Sequence, residues 1–219
     1  MRRRTPDFET ARADMVAAQL EARGIEDARV LEAMLRVPRE AFVPEDDRRL
    51  AYADMPLRIG FGQTISQPYM VALICQEAGV RPGSRVLDIG TGSGYQAAVL
   101  AELAGDEGEV HTIERIPELA VLARRNLEAA GYDRVTVHVG DGSLGLPEHA
   151  PYDAITVAAA APGMPATLYD QLRPGGRLVV PVGDRVGQRL EIIVRSPEGP
   201  AVSRSVPCRF VPLVGKEGY

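Results

Sequence analysis

From residue 85 to 182 the chain alternates short apolar strands with helical stretches, and no other feature of the sequence narrows its fold as much. Residues 85–89 read as a strand, 94–104 as a helix and 109–114 as a strand. Pro117 then opens a helix at its first position, which runs to about 130 and stops at Gly131. Residues 135–139 and 153–157 are the next strands, 165–172 is a helix stopped by Pro174-Gly175-Gly176, and 177–182 is a fifth strand. This texture predicts an α/β fold built on a mostly parallel twisted sheet with helices on both faces. Residues 190–195 and 202–211 supply two more strands, expected to be antiparallel.

An N-terminal helical extension precedes this core. A helix over 10–23 carries Met15, Val16 and Leu20 at helical spacing and stops at Gly24. Asp27 caps a second, with Val30, Leu31, Met34 and Leu35, ended by Val37-Pro38. Periodicity fails from 41 to 68, and residues 59–68 read as a loop facing a ligand. A helix over 68–78 and a Pro82-Gly83 turn follow. With 219 residues, the chain is expected to form a single domain. Within 1–219, residues 1–80 are the helical region with its loop at 59–68, 84–195 the core, and 196–219 a C-terminal strand and tail.

Composition removes several classes. Hydrophobic residues are 45% and charged residues 25%, which excludes disordered and collagen-like chains, and no run of about 18 apolar residues predicts a membrane span. The net charge of −5 and pI near 5.3 make nucleic acid an unfavoured partner. Met1-Arg2-Arg3-Arg4 is followed by Thr5, Pro6, Asp7, Phe8 and Glu9 where a signal peptide needs an apolar run, so the start reads as a solvated tail. Cys75 and Cys208 lack a CxxC or His companion, which suits reduced thiols in a cytoplasmic protein. A monomer is expected.

The chemistry gathers at strand ends. Val86-Leu87-Asp88-Ile89-Gly90-Thr91-Gly92-Ser93-Gly94 runs a strand into a glycine turn that opens a helix, the Rossmann-like place where a nucleotide-type ligand docks. Gly92, Gly94 and Ala97 also satisfy G-x-G-x-x-A, with Glu114 placed for a ribose, so the pattern alone does not separate a dinucleotide from other ligands. Charge separates them. Asp88 would oppose a pyrophosphate, whereas S-adenosylmethionine (SAM) brings an ammonium and a sulfonium that a carboxylate favours. Glu114, ending the second strand, can accept both ribose hydroxyls, and Asp141-Gly142, ending the third, offers a carboxylate to the adenine amino group. Each acid taken alone is equally an ordinary polar strand terminus; all three with the glycine turn favour SAM.

Other chemistries have less support. His111 and His138 read as strand residues and His149 as a loop residue, and without ligand-spaced partners a histidine metal site is disfavoured. No G-x-S-x-G elbow surrounds Ser66 or Ser93, which disfavours an α/β-hydrolase. Ser66, two residues before Pro68, is placed to act as the N-cap of the helix that follows.

Val37-Pro38-Arg39-Glu40, residues 62–70 (Gly-Gln-Thr-Ile-Ser-Gln-Pro-Tyr-Met), residues 88–96, Gly140-Asp141-Gly142, residues 150–155 and Phe210-Val211-Pro212-Leu213 together resemble the protein-L-isoaspartate O-methyltransferase family, in the expected order over nearly the whole chain. Residues 63–70 are the most specific part; Asp88 stands where many relatives carry Glu. The resemblance implies the Rossmann-like methyltransferase fold, with SAM bound along Asp88, Gly90, Thr91, Gly92 and Gly94, Glu114, Asp141 and Gly142, and S-adenosylhomocysteine as product. It implies Ser66 beside the transferred methyl as the catalytic, positioning residue, with Thr64 and Ile65 adjoining it on the substrate wall, and no metal. The implied substrates are isoaspartyl-containing proteins and peptides, whose methyl ester collapses to a succinimide. A carboxyl methyltransferase for normal aspartate in a biosynthetic peptide, a silent SAM-binding module and an NAD-dependent oxidoreductase are the competing readings.

Overall fold

The computed structural model describes residues 7–184 and 186–219; the start read as a solvated tail lies largely in residues 1–6, outside the described residues. Asp7 caps α1 (Phe8–Met15) by accepting the Thr10 N–H. The predicted single helix continues with changed winding, through a π turn (Val16–Leu20) and a 3-10 turn (Glu21–Arg23), to Gly24 at φ 92°. Asp27 caps α2 (Ala28–Arg36) as expected, accepting the Arg29 N–H at 2.9 Å. Both helices bury their apolar stripe, from Met15 and Leu20 to Val30 and Met34, in one cluster with α3 (Pro68–Ala78) and α4 (Tyr95–Ala104).

Residues 59–68, read as a loop, are instead mostly an antiparallel hairpin of β1 (Leu57–Gly60) and β2 (Gln63–Ile65). Leu57 and Ile59 are buried and Arg58 exposed, but strands this short carry too little alternation to register as a period. The turn between them, Gly60-Phe61-Gly62, has positive φ throughout.

The main sheet contains β3 (Arg85–Ile89), β4 (Glu109–Glu114), β5 (Thr136–Val139), β6 (Tyr152–Val157), β7 (Leu172–Gly183), β8 (Gln188–Ser196) and β9 (Gly199–Cys208), in the order β5-β4-β3-β6-β7-β8-β9. β3 to β7 are parallel, and β8 and β9 antiparallel. The order reverses at β3, which opens a crevice between the carboxyl ends of β3 and β6. One face packs α3, α4 and α5 (Pro117–Ala129); the other is covered by α6 (Ala166–Asp170), two 3-10 turns (Gly142–Leu144 and Pro147–His149) and Leu213.

Several boundaries move by one to five residues, and two of them have a visible cause. β7 starts at Leu172 and not at 177, because Pro174-Gly175-Gly176 forms an irregularity inside the strand: the register jumps from Tyr152↔Leu172 to Ala154↔Arg177. β9 ends at Cys208 and not at 211. The chain then crosses the sheet end, where the Ala160 N–H donates to Val211 O and the Leu213 N–H to Ala160 O, both at 2.8 Å. Cys75 and Cys208 are free thiols. Among the described residues no helix is long and apolar enough to cross a membrane. The three histidines, read as lacking ligand-spaced partners, converge from β4, β5 and the turn at His149, because parallel crossovers bring residues distant in sequence side by side.

Candidate active site

Three hollows meet above the carboxyl ends of β3, β4 and β6. One lies between the glycine turn, Glu114, Gly142 and the crossing segment Val211–Val214. A second, of about 580 Å³, opens to the surface between Ser66, Gln67 and Tyr69 on one side and Cys208, Arg209 and Phe210 on the other. A narrow cleft past Ser66, Gly90 and Gln96 joins them. Thr64 and Ala158 line all three.

The first hollow is shaped by residues that the sequence singled out. Glu114, buried at the end of β4, accepts the Gly92 N–H on Oε2 (2.9 Å) and the Ile116 N–H on Oε1 (3.0 Å), so it braces the glycine turn while lining the hollow. Gly142 must be glycine for want of space: a Cβ there would lie 2.6 Å from Ile89 Cγ2. At Gly92 the reason is conformational, with φ 54° and Ile59 Cδ1 only 3.2 Å from a built Cβ.

Asp88 departs from the expected direct contact. It is 0% exposed, and alternation along β3 turns it toward α4, beneath the turn. Oδ1 accepts from Gln96 Nε2 (2.7 Å) and Thr156 Oγ1 (2.8 Å), and Oδ2 from Thr112 Oγ1 (3.1 Å). Desolvation outweighs these donors and pushes its carboxyl up to about 6. Asp88 therefore lines none of the three hollows.

Three other residues also stand behind the wall. Thr91 is buried, with its hydroxyl bonded to Thr112 Oγ1 at 2.7 Å, and it borders only the narrow cleft. Gly94 donates its N–H to Thr91 O (2.8 Å) and abuts Leu127, where a Cβ would sit at 3.0 Å, so its smallness packs α4 on α5. Asp141, expected to offer a carboxylate to adenine, turns its oxygens to Ser143 N–H (2.9 Å), Ser143 Oγ (2.7 Å) and Lys216 N–H (2.7 Å). Against the desolvation of its partial burial, the donors of Lys216 and Ser143 hold its carboxyl below the usual range. Gly142 is the member of that pair on the hollow.

Ser66 lines both the large hollow and the cleft. It does not cap α3, whose N-cap is Gln67 and carries no side-chain cap. Its carbonyl accepts from Nη2 of Arg39 (2.7 Å), a fully buried guanidinium whose Nε donates to Ala51 O (2.7 Å) and which stands 4.8 Å from the Tyr95 ring centroid. Burial lowers the pKa of Arg39. Thr64 is exposed at the junction, while Ile65 turns its side chain into the core below and reaches only the cleft.

Arg23 and Arg209 line the large hollow beside Tyr69 without having stood out in the sequence. Arg23 lies 3.8 Å from the Tyr69 ring centroid and pairs with Asp54 at 2.6 Å. An arginine at a helix end or after a strand is ordinary, and only the meeting of the N-terminal helices with the β9 exit gives these a common wall. Sequence reading likewise assigned no role to Arg39 within Val37-Pro38-Arg39-Glu40.

A carboxylate braced against the glycine turn suits ribose hydroxyls, and a buried negative charge beneath that turn suits a cationic ligand and not a pyrophosphate. The fold is that of the SAM-dependent methyltransferases, and the hollow suits their cofactor. Comparison with known proteins narrows the class. A family profile described as "Protein-L-isoaspartate(D-aspartate) O-methyltransferase (PCMT)" matches residues 11–218, and the chain belongs to that family. A protein-L-isoaspartate O-methyltransferase of Hyperthermus butylicus is 56% identical, over 97% of this chain and 92% of that one. Protein-L-isoaspartate O-methyltransferase 2 of Marinobacter nauticus is also 56% identical, over 97% of both. Among solved structures, a family member from Plasmodium falciparum in complex with S-adenosyl-L-homocysteine superposes with a TM-score of 0.82 at 27% identity, covering 96% of this chain and 99% of that one.

Proposed function

We propose that this protein transfers the methyl group of SAM to the free α-carboxylate of L-isoaspartyl residues in proteins and peptides, which starts their repair through a succinimide. The observation that carries this reading is the junction at Thr64 and Ala158, where a hollow open to the surface and walled by Arg23 and Arg209 joins the hollow of Glu114 and the glycine turn. A peptide carboxylate entering from the arginine side meets there a ligand seated on the other.

The residues present fit SAM. Glu114 retains acceptor capacity for ribose hydroxyls beside its two backbone donors. The first N–H groups of α4 lack intrahelical partners and suit the methionine carboxylate. Gly90, Gly92 and Gly142 allow close approach, Asp88 supplies a negative field, and Thr91, Gly94 and Asp141 hold the wall from behind. When bound, SAM supplies an electrophilic methyl on a sulfonium whose sulfur leaves as a neutral thioether.

The chain's own task is alignment. A peptide α-carboxylate has a pKa of about 3.5, so at pH 7 it needs no general base. Ser66, its backbone fixed by Arg39, donates to that carboxylate, and Thr64 with Ile65 forms the adjoining wall. The apolar sides of Ala158, Phe210 and Val211 exclude water from the reacting oxygen. The ester so formed is attacked by the next backbone nitrogen, expelling methanol and leaving the succinimide, whose hydrolysis partly restores aspartate. We read the enzyme as a monomer of the cytoplasm; its two free thiols support the compartment, and its acidic charge balance does not attract nucleic acid.

Label transfer from SAM to two peptides identical except for one isoaspartyl or aspartyl residue tests the reading. Isoaspartate carries an extra backbone methylene and its carboxylate on Cα. A wall that grips the flanking backbone misplaces the carboxylate of normal aspartate by about 1 Å, which costs on the order of 100-fold. Methylation of the isoaspartyl peptide should exceed that of its twin by at least this factor. Equal labelling, or labelling of the aspartyl form alone, would promote the biosynthetic alternative instead.

A further inference from the structure

The sheet face opposite α3 to α5 carries a cluster that methyl transfer does not use. His111 on β4, His138 on β5 and His149 in the 3-10 turn Pro147–His149 each offer a ring nitrogen, and these nitrogens all lie within 4.8 Å of one another. His111 Nδ1 and His138 Nε2 are 3.2 Å apart. Two nitrogens bound at about 2.0–2.1 Å to one tetrahedral ion stand roughly 3.3–3.4 Å from each other, so this pair is already at ligand spacing. The His149 ring lies over that of His111, with centroids 4.1 Å apart, and its ring nitrogen is within 4.8 Å of the other two.

The surroundings match a ligand set. Glu109 Oε2 lies 3.9 Å from His111 Nε2, the nitrogen turned away from His138, and is itself held by Arg85 at 2.7 Å. A carboxylate behind the far nitrogen is the usual outer-shell partner of a ligating histidine; at 3.9 Å Glu109 stands at ion-pair distance and not at hydrogen-bond distance. His111 is buried, whereas His138 and His149 are partly exposed and leave a route for entry.

We propose that His111, His138 and His149 bind one borderline divalent cation, Zn²⁺ by preference, through three imidazole nitrogens with water as the fourth ligand. Imidazole selects Zn²⁺ and its late first-row neighbours over Mg²⁺ and Ca²⁺, which require oxygen. The ion ties β4 and β5 to the segment 142–149, whose first residue, Gly142, lines the cofactor hollow. Its role is to brace. His111 and Glu114 project to opposite faces of β4, so the ion does not reach the methyl-transfer junction.

The test uses the full chain, stripped with EDTA and titrated calorimetrically with ZnCl₂. One equivalent should bind. Co²⁺ in its place should show the visible d–d bands of a four-coordinate nitrogen and oxygen site, without the thiolate charge-transfer bands that binding at Cys75 or Cys208 would produce. His138→Ala and His149→Ala should each weaken Zn²⁺ by at least about 100-fold, beyond the 10- to 100-fold typical of losing an outer-shell partner. At a hundredfold excess over Kd, Zn²⁺ should raise the Tm of the wild type by roughly 5–10 °C and leave that of either variant unmoved. Methylation at saturating SAM should be the same with and without EDTA. Lack of stoichiometric uptake by the wild type, thiolate bands with Co²⁺, or wild-type affinity in both variants would overturn the assignment. The wild-type titration and spectrum decide the matter even if a variant folds poorly.

Discussion

Replacing Asp88 with asparagine should make the protein more stable at neutral pH and a weaker binder of SAM. The buried carboxyl titrates at about 6 in the folded chain, against 3.8 for an ordinary aspartate, and desolvation is the main cause. The folded state therefore holds the proton more tightly than the unfolded one. Stability associated with this group is fully present below about pH 4 and is lost as the pH rises toward 6. At about 1.36 kcal/mol per pKa unit, the loss is about 3 kcal/mol. Asparagine does not titrate and fits the same bonds. Its Oδ1 accepts from Gln96 and Thr156, and its Nδ2 donates to Thr112 Oγ1, which can in turn donate to Thr91. Denaturant unfolding of both proteins at pH 4 and pH 7 should show their stability difference moving by about 2.4 kcal/mol in favour of the variant. The affinity for SAM should fall instead. Two unit charges about 10 Å apart in an effective dielectric of about 20 attract by roughly 1–2 kcal/mol, so loss of a charge beneath a cationic ligand is expected to weaken it by about 5- to 30-fold. S-adenosylhomocysteine, without the sulfonium, should lose less. A stability difference that does not change with pH, or SAM affinity equal to wild type, would refute the view that this charge is retained for its cationic ligand at the expense of stability.

Glu114→Ala should weaken SAM by roughly 2–4 kcal/mol by calorimetry, since it removes two charge-assisted ribose bonds together with the brace on the Gly92 and Ile116 N–H groups; an unchanged Kd would contradict the assignment. Ser66→Ala should lower kcat/KM by about 10- to 150-fold, equivalent to about 1.5–3 kcal/mol, with SAM affinity nearly unchanged, whereas loss of several orders of magnitude would point to a covalent role. Gly142→Ala places a Cβ 2.6 Å from Ile89 Cγ2 and should cost about 1–3 kcal/mol in unfolding experiments while weakening SAM, and a variant neutral in both would show that the segment yields freely.

The local signals in this chain were strong wherever a single element carried them. The bounds of β3, β4 and α3 follow from Gly90, Glu114 and Pro68, which close the two strands and open the helix, and Asp27 and Gly24 punctuate the N-terminal helices as their cap chemistry requires. The glycine turn, Glu114 and Gly142 could be placed on one hollow because parallel strands in sequence order deliver their carboxyl ends to one edge of the sheet. Tertiary structure alone decided which way each side chain faced and what met it there. Asp88 is one residue from the turn, yet strand alternation buries it against Gln96 and two threonines; Asp141 is spent on Ser143 and on Lys216, 75 positions away. Arg23 and Arg209 share a wall, and three histidines share a point, only because crossovers and the β9 exit fold them together. Propensity and periodicity are properties of neighbours along the chain, whereas charge burial, cavity walls and ligand clusters arise from neighbours in space, which the packing of the whole sheet determines.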